Sequence, residues 1–193
     1  MGKATGPIFK VPFRRRRENR TNYTKRLAMI KSDKPRFVAR QSNKGMIIHL
    51  VQFSEKGDKT LVLAKSGELS AHGWMPQANT PTAYLTGALA AKKALQKGIK
   101  HAHLDIGMAT ASKGRILFAA ALGAKDAGLD IIVPDTLLDK KRINGSHISD
   151  YASKLYGEDK KKFESTFSMY ILKNVDVRNL PKIFEQVKGK ILG

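Results

Sequence analysis

The 193-residue chain carries 36 Lys and Arg against 16 Asp and Glu, a formal net charge of +20, with 41% hydrophobic residues and no cysteine. That length suits one domain plus extensions, the missing cysteine excludes disulfides and a cysteine-ligated zinc site, and no apolar run reaches the ~18 residues of a spanning helix. The charge is too lopsided for colloidal solubility alone and draws polyanions, either nucleic acid or an anionic membrane surface.

The excess is uneven: through Lys44 there are 14 basic residues against Glu18 and Asp33. The chain opens on "MGKATGPIFKVP", which is short on helix signals, holds two prolines and reads as an extended tail. No apolar segment follows its charges, which argues against a secretory signal. Pro12 suits a first helical turn, and a helix is expected over Phe13–Lys31. Tyr23, Leu27 and Ile30 recur at spacings of four and three, a narrow stripe expected to enter the core. Pro35 ends the helix.

Three strands follow: "RFVARQS" (Arg36–Ser42), "MIIHLVQF" (Met46–Phe53) and "TLVLAKS" (Thr60–Ser66). β-Branched content and glycine-containing turns predict an antiparallel meander. The sole tryptophan, Trp74, is expected to pack against the sheet, with base stacking the alternative. "NTPTAYLTGALAAKKALQKG" predicts a helix with Thr80 as N-cap, Pro81 in its first turn and Gly98 as its stop. Tyr84, Leu85, Ala88, Leu89 and Leu95 form its expected buried face. A strand over His101–Gly107 leads to a second helix, "GRILFAAALGAKDAG", whose alanines and Gly123 suit close packing on a sheet. "LDIIVP" (Leu129–Pro134) reads as a short buried strand. Beyond it, "GSHISDYASKLYGEDKKKFESTFSMYILKN" and "NLPKIFEQVKGKIL" read as amphipathic helices.

This order predicts a mixed α/β (α+β) fold: three antiparallel strands, then βαβ crossovers, in one sheet covered by helices. The divisions are a basic tail and helix over 1–34, a mixed core over 35–134 and a C-terminal helical extension over 135–193. The same order is that of the ribonuclease-H-like fold. Nucleases on that fold gather several carboxylates around two metal ions. Here the first strand and the following helix carry none, and Asp105 stands alone on the fourth strand, where it suits a hydrogen-bond acceptor. His101 and His103 share a strand face but lack a third ligand, and His147 with Ser146 and Asp150 does not make a triad. No catalytic residue, metal or cofactor is expected.

"FRRRRENR" (Phe13–Arg20) is the strongest signal. Helical residues sit about 100° apart, so Arg14, Arg15, Arg16 and Arg17 surround the axis with Glu18 as the only nearby acid. Arginine suits bidentate phosphate contacts and stacking on bases. Arg20, Lys25 and Arg26 add charge, and Tyr23 offers a stacking surface. Arg40 and Lys44 flank the turn "RQSNKG". "DIGMATASKGR" (Asp105–Arg115) joins a strand to a helix start that could meet phosphate with Lys113 and Arg115, although its glycine spacing is not that of a P-loop. The alternatives are a nucleic-acid-processing enzyme and a basic interaction module for membranes or acidic proteins.

"RRRRENRTNYTKRLAMIKSDKPRFVARQSNKG" resembles the opening of the universal large-subunit ribosomal protein L-eighteen family in its archaeal form. "NTPTAYLTGALAAKKALQKG", "HLDIGMATASKGRILFAAALGAKDAGLDI" and "RINGSHISDYASKL" are similar to later segments in the same order. The tail resembles the archaeal and eukaryotic extension less specifically. The resemblance implies a structural ribosomal protein on a ribosomal translation-component fold, located in the cytoplasm. It implies binding to 5S rRNA and attachment to the central protuberance, beside ribosomal protein L-five and the larger, 23S-type rRNA, with no membrane role. Together, residues and resemblance mark Lys10, Arg14, Arg15, Arg16, Arg17, Arg20, Tyr23, Arg26, Arg40, Ser42, Asn43, Lys44, Lys113 and Arg115 as the RNA-binding set. Relatives often carry His after Ser-Asn-Lys; Gly45 here implies a backbone role instead.

Overall fold

Asn19 takes a left-handed backbone conformation (φ 53°) and divides the basic run. In the computed structural model, which describes residues 6–193, two short helices replace the single one expected over Phe13–Lys31. They are α1 (Arg14–Arg17) and α2 (Tyr23–Ile30). Asparagine tolerates the left-handed region better than most residues. Asn22 then caps α2, its side-chain oxygen accepting the Lys25 N–H at 3.1 Å. Like charges around α1 give no reason to continue it. The described part of the expected tail, residues 6–12, contains no helix or strand and is exposed; residues 1–5 lie outside the described residues. The stripe expected in the core is not there: Tyr23 and Leu27 are exposed, Ile30 is half-buried and α2 buries no residue.

β1 (Arg36–Gln41), β2 (Met46–Gln52) and β3 (Lys59–Lys65) form the expected meander. β4 (His103–Asp105) joins β1 in parallel, giving the order β3-β2-β1-β4 and a mixed α/β class. The strand expected at Leu129–Pro134 contracts to one parallel bridge, His101 to Asp130. Its alternation persists, with Ile131 and Val133 buried and Ile132 84% exposed. Pro134 lacks the donor a longer ladder would need.

α3 (Thr80–Gln96) begins one residue later than its cap. Asn79, not Thr80, is the N-cap, and its side chain accepts the Thr82 N–H at 3.0 Å. Asparagine outranks threonine at that position. Tyr84, Leu85, Ala88 and Leu89 are buried as expected. Leu95, near the end of the helix, is exposed instead. α4 (Ile116–Asp126) packs on α3 through paired glycines. A methyl group at Gly87 would fall on the Ala120 carbonyl, and one at Gly123 on the Tyr84 carbonyl. The close contact of Gly123 is therefore with a helix rather than with the sheet.

α5 (Lys140–Ile143), α6 (Ser146–Glu158), α7 (Lys160–Thr166), α8 (Ser168–Leu172) and α9 (Leu180–Leu192) complete the chain. α9 buries Leu180, Phe184, Val187 and Ile191. Phe184 meets Trp74 and Tyr84 at ring centroid distances of 6.1 and 5.4 Å. Trp74 is buried, its indole N–H donating to Thr82 at 2.9 Å. One apolar cluster thus runs from Phe37 to Ile191.

Alternation decides what the sheet shows to each side. Phe37, Ala39, Ile48, Leu50, Val62 and Ala64 are buried towards α3, which lies over β2 and β3, and α4, which lies over β1. Arg36, Val38 and Arg40 point the other way, with His49 opposite Val38.

Candidate nucleic-acid interface

On that outer face, charges alternate in a chain. Arg26 of α2 donates to Asp58 at 2.9 Å, and Arg36 donates to the same oxygen at 2.6 Å. Arg36 also reaches Asp105 at 3.0 Å. Arg40 donates to the other Asp105 carboxylate oxygen at 3.2 Å and to its backbone carbonyl at 2.7 Å. The Gly107 N–H completes the Asp105 carboxylate at 2.8 Å. Arg36 and Asp105 are buried, so this is the firm part of the chain of charges. Asp105 accepts hydrogen bonds at the end of its strand, as expected.

The ladder ties α2 to the sheet and leaves a groove of about 590 Å³ between them, walled by Arg15, Arg20, Lys25, Arg26, Arg36 and Arg40. A second groove, of about 710 Å³, continues past Arg20 and Arg40 to Ser42, Asn43, Met108 and Arg115. His49, on the wall of the first groove, is held below the ordinary imidazole pKa by burial first, then by the positive fields of Arg40 and Lys65. The two positive fields, second to burial among the causes, mark this side of the sheet as electropositive.

The expected RNA-binding residues divide by position. Arg15, Arg20, Arg26 and Arg40 wall the first groove; Arg20, Arg40, Ser42, Asn43 and Arg115 meet in the second. Lys10, Arg14, Arg17, Tyr23, Lys44 and Lys113 are exposed and line neither. Arg14 and Arg20 share Glu18, at 3.9 and 3.2 Å. Arg15 donates to Thr21 at 2.9 Å, and Arg16 touches the Met108 sulfur at 3.9 Å. Tyr23 meets Phe13 edge-on. The Ser42 hydroxyl is used inside its own turn, bonding both the carbonyl and the N–H of Gly45. Gly45 has a backbone role: a Cβ there would fall on the Ser66 hydroxyl, which accepts the Met46 N–H.

Arg36, His49 and Asp58 belong to this face without having been singled out. Strand alternation places Arg36 and Val38 with Arg40, and that was the available signal. Among the described residues there is no group of three or more His, Asp or Glu that could hold a metal ion. His101 pairs instead with Asp130 at 2.7 Å, which holds that exposed carboxyl below its ordinary pKa. The His147 ring nitrogen lies 3.4 Å from the Lys141 carbonyl. No helix among the described residues is long and apolar enough to cross a membrane.

Two similarities bear on this face. A family model described as "Ribosomal large subunit proteins 60S L5, and 50S L18" matches residues 8–101, which hold α1 to α3 and the whole meander. The "Large ribosomal subunit protein uL18" of Ignicoccus hospitalis is 44% identical over 191 residues, covering 98% of this chain and 94% of that protein.

Proposed function

Because the chain belongs to the uL18 family of large-subunit ribosomal proteins, we propose that it binds 5S rRNA and secures it in the central protuberance. There it would sit beside ribosomal protein L-five and the 23S-type rRNA. Family membership makes it a structural, non-enzymatic constituent of the large ribosomal subunit in the cytoplasm. The finer reading rests chiefly on one observation: the paired basic grooves between the N-terminal helices and the outer face of the sheet.

Arg26, Arg36 and Arg40 are committed to Asp58 and Asp105 and position the walls. Lys10, Arg14, Arg17, Arg20, Lys44 and Lys113 face solvent and supply charge for phosphates. Structured RNA is read by shape, backbone and exposed bases, which suits a firm face with a cationic fringe.

Filter binding to 5S rRNA tests this. With about eight phosphates engaged, affinity falls on the order of 10⁴-fold between roughly 50 and 200 mM salt. Deleting residues 1–20 removes four exposed arginines of α1 and Arg20. It is expected to weaken binding and flatten the salt slope while the circular dichroism of the core persists. Unchanged affinity in the deletion would remove the tail and α1 from the interface.

A further inference from the structure

Arg115 lies just before α4, and its Nε is buried without a hydrogen-bond partner among the described residues. Buried donors are nearly always satisfied, and the Arg36 Nε is the other exception among the described residues, so Arg115 is a guanidinium whose own fold leaves part of its hydrogen-bonding capacity unused. Arg115 lines the second groove, whose volume of about 710 Å³ is that of a small-ligand cleft. Arginines from three separate segments line it: Arg20 between α1 and α2, Arg40 on β1, and Arg115 before α4. Arg20 also serves Glu18, and Arg40 also serves Asp105. Among the described residues no carboxylate lines this groove, whereas Asp58 and Asp105 line the first.

The rest of the wall is of two kinds. Ile106, Met108 and Ala109 supply apolar surface, and Ser42 and Asn43 supply polar groups from the first hairpin. Gly107, at φ 66° between Ile106 and Met108, lines the neighbouring first groove, and the Arg40 guanidinium lies 3.0 Å from where its Cβ would stand. The glycine thus lets Arg40, which lines both grooves, lie against the backbone.

We infer that this groove seats a single nucleotide turned out of an RNA strand. Its phosphate takes the Arg115 fork, with Arg20 adding charge and Arg40, held by Asp105, forming the wall. Its base lies on Met108 and Ala109, with its edge towards Asn43. A duplex backbone would engage the cations and leave the apolar wall uncovered; an unstacked nucleotide uses both, and unstacked bases are where RNA sequence is read. The inference rests on the rRNA-binding reading above and narrows it from a charged face to one nucleotide.

The test uses the full chain, with deproteinised 5S and 23S-type rRNA as probes, and combines filter binding with 2′-hydroxyl acylation footprinting. Arg115→Met is expected to bind about tenfold more weakly. At saturating protein it should lose protection at one unpaired nucleotide while the remaining footprint persists. Its free-state Tm should match or exceed that of the unsubstituted protein, because an unsatisfied buried donor has been removed. A merely structural arginine would lower the Tm. Arg115→Lys retains charge without the fork and should lose the same nucleotide; full protection in that variant would overturn the phosphate assignment. Footprints that match the unsubstituted protein at every position, or that fade uniformly, would overturn the inference alone. If the unsubstituted protein protects neither RNA, the rRNA-binding reading falls and takes the inference with it.

Discussion

Asp105 serves three donors from a position 6% exposed: Arg36, Arg40 and the Gly107 N–H. Neutralising it leaves the Arg36 guanidinium buried with half of its acceptors gone. Breaking a buried pair by removing one partner costs about 3–5 kcal/mol, and an asparagine that keeps one acceptor oxygen belongs near the lower end. At roughly 2–4 °C per kcal/mol, Asp105→Asn is expected to lower the Tm by roughly 6–12 °C. Calorimetry of the free protein checks this, and a loss of under about 2 °C would show that the ladder adds little to stability. The acceptor role of Asp105 was legible because a lone acid at a strand end has few other uses. The role of Arg36 was not legible. Its partners Asp105 and Asp58 lie 69 and 22 positions away, and in sequence a buried arginine looks like an exposed one.

At the scale of elements, periodicity carried most of the fold. The meander, α3 and α4 stand within a residue or two of where β-branched runs, caps and glycines put them. The departures are local contests. Asn19 and Asn22 split a helix whose arginines had no reason to stay together, and a single bridge replaced the last strand. What periodicity could not say is which neighbour an alanine-rich face meets. Gly87 and Gly123 meet across α3 and α4, each against the other helix's backbone. A methyl group at Gly123 would overlap the Tyr84 carbonyl, and backbone cannot swing aside as a flexible side chain can. The better helix propensity of alanine returns about 1 kcal/mol, while overpacking costs 1–3 kcal/mol or more. Gly123→Ala is therefore expected to be destabilising by about 2 kcal/mol, read as a lower urea midpoint at unchanged slope. A midpoint at or above that of the unsubstituted protein would mean that the helices separate freely.

For the molecule as a whole, the charge of +20 was legible from composition, but its distribution over faces was not. That needs the fold, because Arg15, Arg36 and Arg115 reach one outer surface from three separate segments. The distribution has a thermodynamic consequence. Arg14, Arg15, Arg16, Arg17 and Arg20 crowd within a few residues, with Glu18 shared between Arg14 and Arg20. The Debye length is about 10 Å at 0.1 M salt and about 3 Å at 1 M, so added chloride screens exposed repulsion and barely touches the buried Arg36–Asp105 pair. Self-repulsion in a chain this basic opposes the compact state. The Tm of the free protein is therefore expected to rise as KCl increases from about 50 to about 500 mM, over the range in which RNA affinity collapses. Both trends can be followed on one preparation, by circular dichroism and by filter binding. A free-state Tm that falls with salt would mean that the surface charges are mutually satisfied within the polypeptide. The case for a polyanion as their missing counterpart would then lose its energetic basis.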